Sequence, residues 1–207
     1  MRKLVVTTFL TLDGVMQAPG APQEDPSGGF EHGGWLVPHA DAEMGQQMVE
    51  WFSGAGDILL GRGTYELFAA HWPRVPIEDD PIAKALNTLP KHVASRTLDH
   101  VDWAGARLIE GDVAEAVAAL KEQDGGELQV HGSAGLIQTL LEHNLIDELR
   151  LMIFPVVLGE GKRLFADGAV PAGVSLASSS TTGAGVVILT YERAGDVGVG
   201  SFALDEG

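Results

Sequence analysis

Residues 128–165 read "LQVHGSAGLIQTLLEHNLIDELRLMIFPVVLGEGKRLF", and this stretch decides the fold class. Its first residues have the composition of a buried strand, and the turn "HGSAG" that follows has almost no side-chain atoms. Apolar residues then recur at helical spacing, and a second apolar strand begins near residue 147. A strand, a helix and a strand in this order indicate parallel strands joined by a helix. The small residues of the turn indicate that its backbone closely approaches something.

The same alternation extends over most of the chain. Strands are predicted at 3–12, 57–61, 91–96, 106–111, 127–132 and 147–159, and a hairpin at 174–182 and 186–193. Helices are predicted at 41–54, 63–72, 80–88, 112–123 and 133–144, and a long loop at 13–39. The fold class is therefore α/β, with a mostly parallel central sheet, helices on both faces and a C-terminal antiparallel hairpin. One domain is expected at 1–194, followed by a tail at 195–207.

Single residues predict where several elements begin and end. Asp80 and Asp112 are expected to cap the helices that follow them, and Asn144 is expected to end a helix in a left-handed conformation. Pro155 lies inside the predicted strand 147–159, and it indicates a bulge or an edge strand there because proline has no backbone N–H.

The composition excludes several classes of function. The chain has 207 residues, no cysteine and a formal net charge of −16. Disulfide and thiolate chemistry are therefore excluded, and a cytoplasmic location is expected. A nucleic-acid partner is disfavoured because so acidic a chain repels phosphate backbones. No apolar run reaches the roughly 20 residues of a membrane span. The few basic residues are the candidates for binding a small anion.

The first candidate motif is "LLGRGTYE", residues 59–66, in which a strand leads directly into a helix. Exposed amides at a helix N-terminus favour an anion, and Arg62 adds positive charge beside Gly61 and Thr64. The alternative is an ordinary strand–helix turn with Thr64 as its cap.

Two further strand ends carry similar chemistry. "VASRT", residues 93–97, places Ser95 and Arg96 where a phosphate monoester fits the guanidinium fork, although a solvated surface arginine is the alternative. "VHGSAGLIQ", residues 130–138, resembles a phosphate-binding turn, although tight strand–helix packing is the alternative. This turn has neither the GxGxxG pattern nor a P-loop lysine, and without GxSxG its serine is not an obvious nucleophile.

Taken in order, these motifs resemble those of a known superfamily. The order is "TLDG", "GRGTYE", "ASRT", "HGSAG" and then "PVVLGEGKRLF". It is similar to the dihydrofolate-reductase-like superfamily, and most similar to the C-terminal reductase domain of the bifunctional riboflavin-biosynthesis deaminase/reductase. The resemblance covers roughly residues 2–193. The chain has no counterpart of the deaminase domain with its zinc ligands.

The resemblance implies that the cofactor is NADPH. Arg62 and Thr64, beside Gly61, would lie along the cofactor phosphates, and Ser95 and Arg96 would hold the adenosine 2′-phosphate. The pyrophosphate would lie on the glycine turn and the start of its helix, formed by Gly132, Ser133, Ala134, Gly135 and Leu136. Where the family usually has its second glycine, this chain has a serine, whose backbone amide is still available.

The resemblance also implies that the "TLDG" turn faces the substrate. Thr11 and Asp13 are therefore candidate substrate residues. Asp13 is also the candidate catalytic residue, and it is expected to matter for turnover rather than for folding. The alternative is that Asp13 only forms a plain Asp-Gly turn. Three aromatic residues could stack on a planar substrate or pack in the core: Trp35, Tyr65 and Phe154. The seven histidines include no HxH or HxxxH pair, so no metal site is predicted.

The sequence thus predicts an NADPH-dependent reductase that transfers a hydride to a small heterocyclic or sugar-like substrate. A folate reductase is one alternative, disfavoured because Asp41 and Glu43 stand at the exposed start of the helix at 41–54 and no buried carboxylate can be placed on it. A nucleotide-binding protein without turnover is the other. A homodimer is expected to form through the apolar strands "LRLMIFPVVL" and "VVILTY" and the tail, because exposed apolar strands invite pairing.

Overall fold

The computed structural model describes residues 1–167 and 169–202. Its strands are β1 (Leu4–Thr11), β2 (Ala55–Gly61), β3 (Lys91–Ala94), β4 (Ala106–Leu108), β5 (Glu127–His131), β6 (Glu148–Phe154), β7 (Gly173–Thr181) and β8 (Val187–Gly195). Its α-helices are α1 (Ala42–Ser53), α2 (Arg62–His71), α3 (Pro81–Thr88), α4 (Val113–Lys121) and α5 (Ala134–Glu142).

The strands form one eight-stranded sheet in the order β4-β3-β2-β5-β1-β6-β8-β7. The first six strands in this order are mutually parallel, and β8 and β7 run antiparallel to their neighbours. The structure confirms the predicted α/β class, with its mostly parallel sheet and its C-terminal antiparallel hairpin.

Helices cover both faces of the sheet, and each face has its own apolar core. On one face, α1, α2 and α3 pack against β1, β2 and β6; the buried helix residues there are Met44, Met48, Trp51, Phe52, Tyr65 and Leu86. On the other face, α4 and α5 contribute Val117, Leu120, Leu136, Ile137 and Leu140. Alternate residues of β1 face opposite cores, as the two-residue period of a strand requires.

The predicted helix boundaries are confirmed where side-chain chemistry sets them. The carboxylate of Asp80 accepts hydrogen bonds from the amides of Ile82 and Ala83, and the carboxylate of Asp112 accepts one from Glu115. Asn144, two residues beyond α5, has a positive φ of 57°.

Three strands end at least two residues earlier than predicted. β3 ends at Ala94 because the hydroxyl of Ser95 accepts hydrogen bonds from the amides of Thr97 and Leu98, which turns the chain. β4 ends at Leu108. β6 ends at Phe154, so Pro155 follows the strand instead of forming a bulge within it, and β6 lies between β1 and β8, not at an edge.

The loop at 13–39 is anchored to the domain by its own apolar side chains, because Phe30 and Trp35 are buried. Of the predicted tail, residues 203–207 lie outside the described residues, and Val197, Val199 and Phe202 are exposed. Within the described ranges, the helices are too short or too polar to cross a bilayer.

Candidate active site at the carboxyl edge of the sheet

The predicted site residues converge because parallel strands end at the same edge of a sheet. The register pairs Gly61 at the end of β2 with Ala94 at the end of β3, and Thr11 at the end of β1 with Phe154 at the end of β6. β5 lies between β2 and β1, so its glycine turn is central. All three predicted phosphate-binding turns therefore occupy neighbouring strand ends, in the order β3, β2 and β5.

The turns after β2 and β5 are held together by the side chain of Ser133. Its Oγ accepts a hydrogen bond from the amide of Gly61 at 2.9 Å and donates one to Oγ1 of Thr64 at 2.6 Å. Ser133 has the left-handed φ of 71°, which is uncommon for serine, and a Cβ atom on Gly61 would lie 3.0 Å from the Ser133 Cβ. The hydroxyl is thus engaged in joining the two turns, and position 61 has room only for glycine.

The N-terminus of α5 presents unpaired backbone donors. The amide of Ile137 donates to the Ser133 carbonyl, whereas the amides of Ala134, Gly135 and Leu136 have no acceptor in the part of the chain that the structure describes. A Cβ atom on Gly135 would meet nothing within 4 Å, so the space beside this first turn is open. Such a helix start attracts an anion such as a diphosphate.

Two arginines flank these amides. Arg62 begins α2, its side chain is 55% exposed, and its only ion pair among the described residues is a 3.7 Å contact with Glu66. Arg96 is exposed and makes no ion pair with any described residue. Because Ala94 pairs with Gly61, the two arginines follow adjacent strand ends. The Ser95 hydroxyl accepts two amides, but its own proton can still be donated.

At the end of β1, Asp13 bridges two loops. Its Oδ1 accepts hydrogen bonds from the Thr11 hydroxyl at 2.6 Å and the Leu158 amide at 3.2 Å, and its Oδ2 accepts one from the Gly159 amide at 2.8 Å. The Thr11 hydrogen bond, followed by the Gly159 and Leu158 amides, lowers the pKa of Asp13 to about 2, although desolvation opposes this shift. Asp13 is therefore ionised at neutral pH and does not carry a proton to donate.

These contacts give Asp13 a structural role that was not expected from the sequence. Its carboxylate ties the "TLDG" turn to the loop after β6, residues 156–163. The Arg163 guanidinium completes the link by donating to the carbonyl oxygen and to Oδ2 of Asp13, and to the Gly159 carbonyl. A change at Asp13 is therefore expected to affect folding stability as well as turnover.

The three aromatic residues that were candidates for substrate stacking are buried. Trp35 is 7% exposed and donates its indole N–H to the Gln17 carbonyl at 2.8 Å; Phe154 is fully buried, with its ring centroid 5.4 Å from that of Trp35. Tyr65 is 7% exposed, and its hydroxyl oxygen accepts the amides of Asp102 and Trp103. These rings pack in the core, so the stacking role does not fit their positions.

Sequence reasoning missed several residues beside Asp13. Lys162 and Arg163 lie in the loop after β6, and Val15 forms an isolated antiparallel bridge with Arg163. Four large apolar side chains at this part of the edge are more than half exposed: Leu12, Val37, Val157 and Phe165. The pairing of Thr11 in β1 with Phe154 in β6 would have placed Lys162 and Arg163, in the loop after β6, near Asp13. This strand register cannot be read from one sequence.

The acids at the start of α1 do not form a buried carboxylate site. Asp41 caps the helix through the Met44 amide and also accepts the Ala184 amide, while Glu43 accepts the Gly183 amide at 2.6 Å. Both acids hold the turn between β7 and β8. α1, which is described throughout, has no buried carboxylate, and this counts against a folate-type substrate.

Fold and site together define an α/β protein with the first-turn amides of α5 and two exposed arginines at the carboxyl edge of its sheet. The RibD C-terminal domain family matches residues 2–188, and the chain belongs to this family. That membership supports its classification as an oxidoreductase of the riboflavin-biosynthesis reductase type.

Individual relatives resemble the chain in sequence or in fold. The chain is 30% identical over 192 residues to the uncharacterized protein YyaP of Bacillus subtilis (strain 168), covering 92% of this chain and 94% of YyaP. A crystal structure from Shewanella sp. PV-4, provisionally assigned to riboflavin biosynthesis, has a TM-score of 0.70 at 22% identity, covering 93% and 99% of the two chains.

The structure of a protein described as a deaminase/reductase shares the fold. The diaminohydroxyphosphoribosylaminopyrimidine deaminase/5-amino-6-(5-phosphoribosylamino)uracil reductase of Thermotoga maritima has a TM-score of 0.62 at 15% identity. The similarity covers 93% of this chain and 57% of that one, so this chain corresponds to only part of that longer protein.

Proposed function

We propose that the protein is an NADPH-dependent reductase that transfers a hydride to a small heterocyclic or sugar-like substrate. The observation that carries this proposal is the group of donors at three neighbouring strand ends. The first-turn amides of α5 and Arg96 are unpaired among the described residues, and Arg62 has only its 3.7 Å contact with Glu66 there. Donors left without acceptors at a helix start and on adjacent turns suit a ligand with several separated phosphates.

Separate groups of residues would bind the pyrophosphate and the 2′-phosphate of the cofactor. The amides of Ala134, Gly135 and Leu136 would hold the pyrophosphate, with Arg62 alongside, and Arg96 and Ser95 would hold the adenosine 2′-phosphate. Neighbouring strands lie about 4.8 Å apart, so three spacings separate the end of β3 from the end of β1 by about 14 Å. A cofactor extended along this edge would bring its nicotinamide towards β1 and β6.

NADPH supplies the hydride when it is bound, and the chain contributes binding, orientation and exclusion of water. At the ends of β1 and β6, the Asp13 carboxylate is ionised, so its role towards a substrate would be to accept a hydrogen bond from a hydroxyl, an amine or a water molecule. The proton that accompanies the hydride would then come from solvent through such a water.

A nucleotide-binding protein without turnover is the second candidate. What favours it is that the Asp13 carboxylate is held by the Gly159 amide and by Arg163 in a link between two loops. Titration with NADPH, followed by NADPH oxidation assays with a panel of pterins, pyrimidines and quinones, separates the two candidates. We expect binding and oxidation with at least one acceptor; tight binding with no acceptor would favour the second candidate, and absence of binding would overturn both.

The proposal includes a homodimer that pairs through β7, because β6 and β8, the apolar strands expected to pair, both lie inside the sheet. The edge strand β7 is exposed along almost its whole length, with Val174 49% and Leu176 54% exposed, and Leu176 pairs with the half-buried Tyr191 of β8. An apolar edge of this kind is prone to aggregation unless another surface covers it. We expect sedimentation at twice the 21.8 kDa chain mass.

A matched pair of variants tests the dimer. Leu176→Asp should lower the sedimenting mass to that of one chain, whereas Ser175→Asp adds the same charge to the opposite face of β7 and should leave the dimer intact. A wild-type mass of one chain at micromolar concentration would overturn the dimer.

A further inference from the structure

We propose that the substrate is uncharged at the end that binds beside β1 and β6, so that an acceptor without a phosphate group is reduced in preference to its phosphorylated counterpart. This inference rests on the proposed function, which places the reacting end of the cofactor near these strand ends. It concerns the residues that sequence reasoning missed: the Lys-Arg pair of the loop at 156–163 and the exposed apolar side chains around it.

Arg163 cannot offer a free guanidinium to an anion. Its NH1 donates to the carbonyl oxygen of Asp13, and its NH2 donates to Oδ2 of Asp13 at 3.3 Å and to the Gly159 carbonyl at 3.1 Å. These three acceptors belong to the two loops that Arg163 joins, and the same Asp13 carboxylate neutralises its charge. A substrate phosphate would have to compete with the Asp13 carboxylate for the charge of Arg163.

Lys162 is also paired. Its Nζ lies 2.5 Å from Oδ2 of Asp25, and its backbone amide donates to the side-chain oxygen of Gln17. The Gln17 amide nitrogen in turn donates to the carbonyls of Asp25 and Ser27, so Asp25 is fixed in position beside the lysine. Both cations of this loop are therefore neutralised by acids of the loop at 13–39.

The charge that remains in this loop is negative, because Glu160 is exposed between the two glycines of "GEG". In a chain with a formal net charge of −16, an additional anion here would meet repulsion, and both cations of the described loop at 156–163 are already paired. Arg62 and Arg96, by contrast, are available at the cofactor end.

The exposed side chains of this region fit an apolar ring instead. Leu12 is 65% exposed and Val157 is 67% exposed, and the Leu12 amide donates to the Val156 carbonyl, so the two side chains are carried by adjacent segments. Val37 and Phe165 add apolar surface at 56% and 54% exposure. Exposed apolar side chains on adjacent segments, such as Leu12 and Val157, are typical of a ligand-contacting surface.

The inferred substrate class differs from that of a structural relative. The Thermotoga maritima protein is described as reducing a phosphoribosylamino uracil, a substrate that carries a phosphate. In this chain, the loop that borders the substrate end has its cations occupied by Asp13 and Asp25. The geometry therefore favours a neutral heterocycle over a sugar phosphate.

The test uses ribose 5-phosphate as a probe on the full chain, isotopically labelled and saturated with NADP⁺ so that the cofactor end is filled. Asp25→Asn removes the partner of Lys162 and should create affinity for the probe. Glu24→Gln is the matched control, because it makes the same change of charge in the same loop. Within the described part of the chain, Glu24 accepts only the amides of Gly20 and Ala21.

We expect the amides of residues 156–165 to show no NMR shift with ribose 5-phosphate in the wild type or in Glu24→Gln, and at least about tenfold tighter binding in Asp25→Asn. Binding by the wild type as tight as by Asp25→Asn, with a dissociation constant below about 1 mM, would overturn the inference. The initial saturation with NADP⁺ reports separately on the proposed function. Failure of the proposed cofactor binding is therefore distinguishable from failure of the inference about the substrate.

Discussion

The two halves of the carboxyl edge of the sheet differ in whether their donors are paired. At the ends of β2, β3 and β5, the Arg96 guanidinium and the first-turn amides of α5 have no partner among the described residues. At the ends of β1 and β6, Arg163 is paired with Asp13, and Lys162 is paired with Asp25. The same edge of one sheet thus has one half whose donors are open to solvent and another whose charges are neutralised within the protein. The first half is suited to phosphates, and the second to a neutral ring.

The link between the β2 and β5 turns gives the largest expected effect on the open half. Gly61→Ala would place a Cβ 3.0 Å from that of Ser133, which is fixed by two hydrogen bonds. We expect a loss of about 1–3 kcal/mol of stability from overpacking and a roughly 10- to 100-fold loss of NADPH affinity. Thermal unfolding and calorimetric titration measure the two effects.

A double variant provides the control for this prediction. Ser133→Gly removes the side chain that the new methyl group would meet, and glycine accepts the left-handed φ of 71° at this position. Gly61→Ala combined with Ser133→Gly should therefore recover affinity relative to Gly61→Ala alone. No recovery would show that the close approach of the two turns is not what excludes a larger residue.

Arg62→Ala should have a smaller effect that does not distinguish the cofactors. We expect NADPH and NADH affinities to fall alike by roughly fivefold to tenfold, because an exposed guanidinium would face the pyrophosphate that both cofactors share. Glu66→Gln is the control, and it should change both cofactor affinities in the opposite direction, since it removes the only acid paired with Arg62 among the described residues. A loss confined to NADPH would mean that Arg62 contacts the 2′-phosphate instead.

Asp13→Asn tests the neutralised half and should have the smallest effect on cofactor binding. Asparagine would turn an amide donor towards the Gly159 amide or Arg163, which are themselves donors. We expect a loss of about 1 kcal/mol of folding stability, and this value is modest because the Asp13 side chain is 20% exposed. NADPH affinity should stay within about twofold of the wild type. Denaturant unfolding and titration of both proteins measure these quantities.

The pH dependence of this stabilisation follows from the sign of the shift. The pKa of Asp13 falls from 3.8 to about 2 on folding, so the carboxylate contributes fully above about pH 4, and its contribution is lost as the pH falls through about 2. The stability difference between wild type and Asp13→Asn should therefore be constant near neutral pH and shrink between about pH 4 and 2. A difference that does not change over this interval would contradict the assigned hydrogen bonds.

The open half could be predicted from the sequence because its turns are built from neighbouring residues. Gly132, Ser133 and Gly135 stand together in the chain, and their small side chains indicate that another group closely approaches the backbone of this turn. The alternation of strands and helices then placed all three turns at one edge without knowledge of the register.

The neutralised half could not be predicted in the same way. The Asp13 contacts with Gly159 and Arg163 join residues about 150 positions apart, and the burial of Trp35 against Phe154 depends on how the loop at 13–39 folds over the sheet. Contacts over such separations have no local signature in a single sequence. The engagement of the Ser133 hydroxyl was hidden for the same reason, because Thr64 is 69 residues away.

The most direct test of the central claim compares the affinities of NADPH and NADH for the wild type and Arg96→Ala. Arg96 is exposed and unpaired among the described residues, in a chain of net charge −16, and the two cofactors differ only by the 2′-phosphate. A hydrogen bond to a charged group contributes about 1.5–3 kcal/mol, so Arg96→Ala should weaken NADPH binding by roughly 10- to 150-fold and leave NADH binding unchanged. An equal loss for both cofactors would contradict the account.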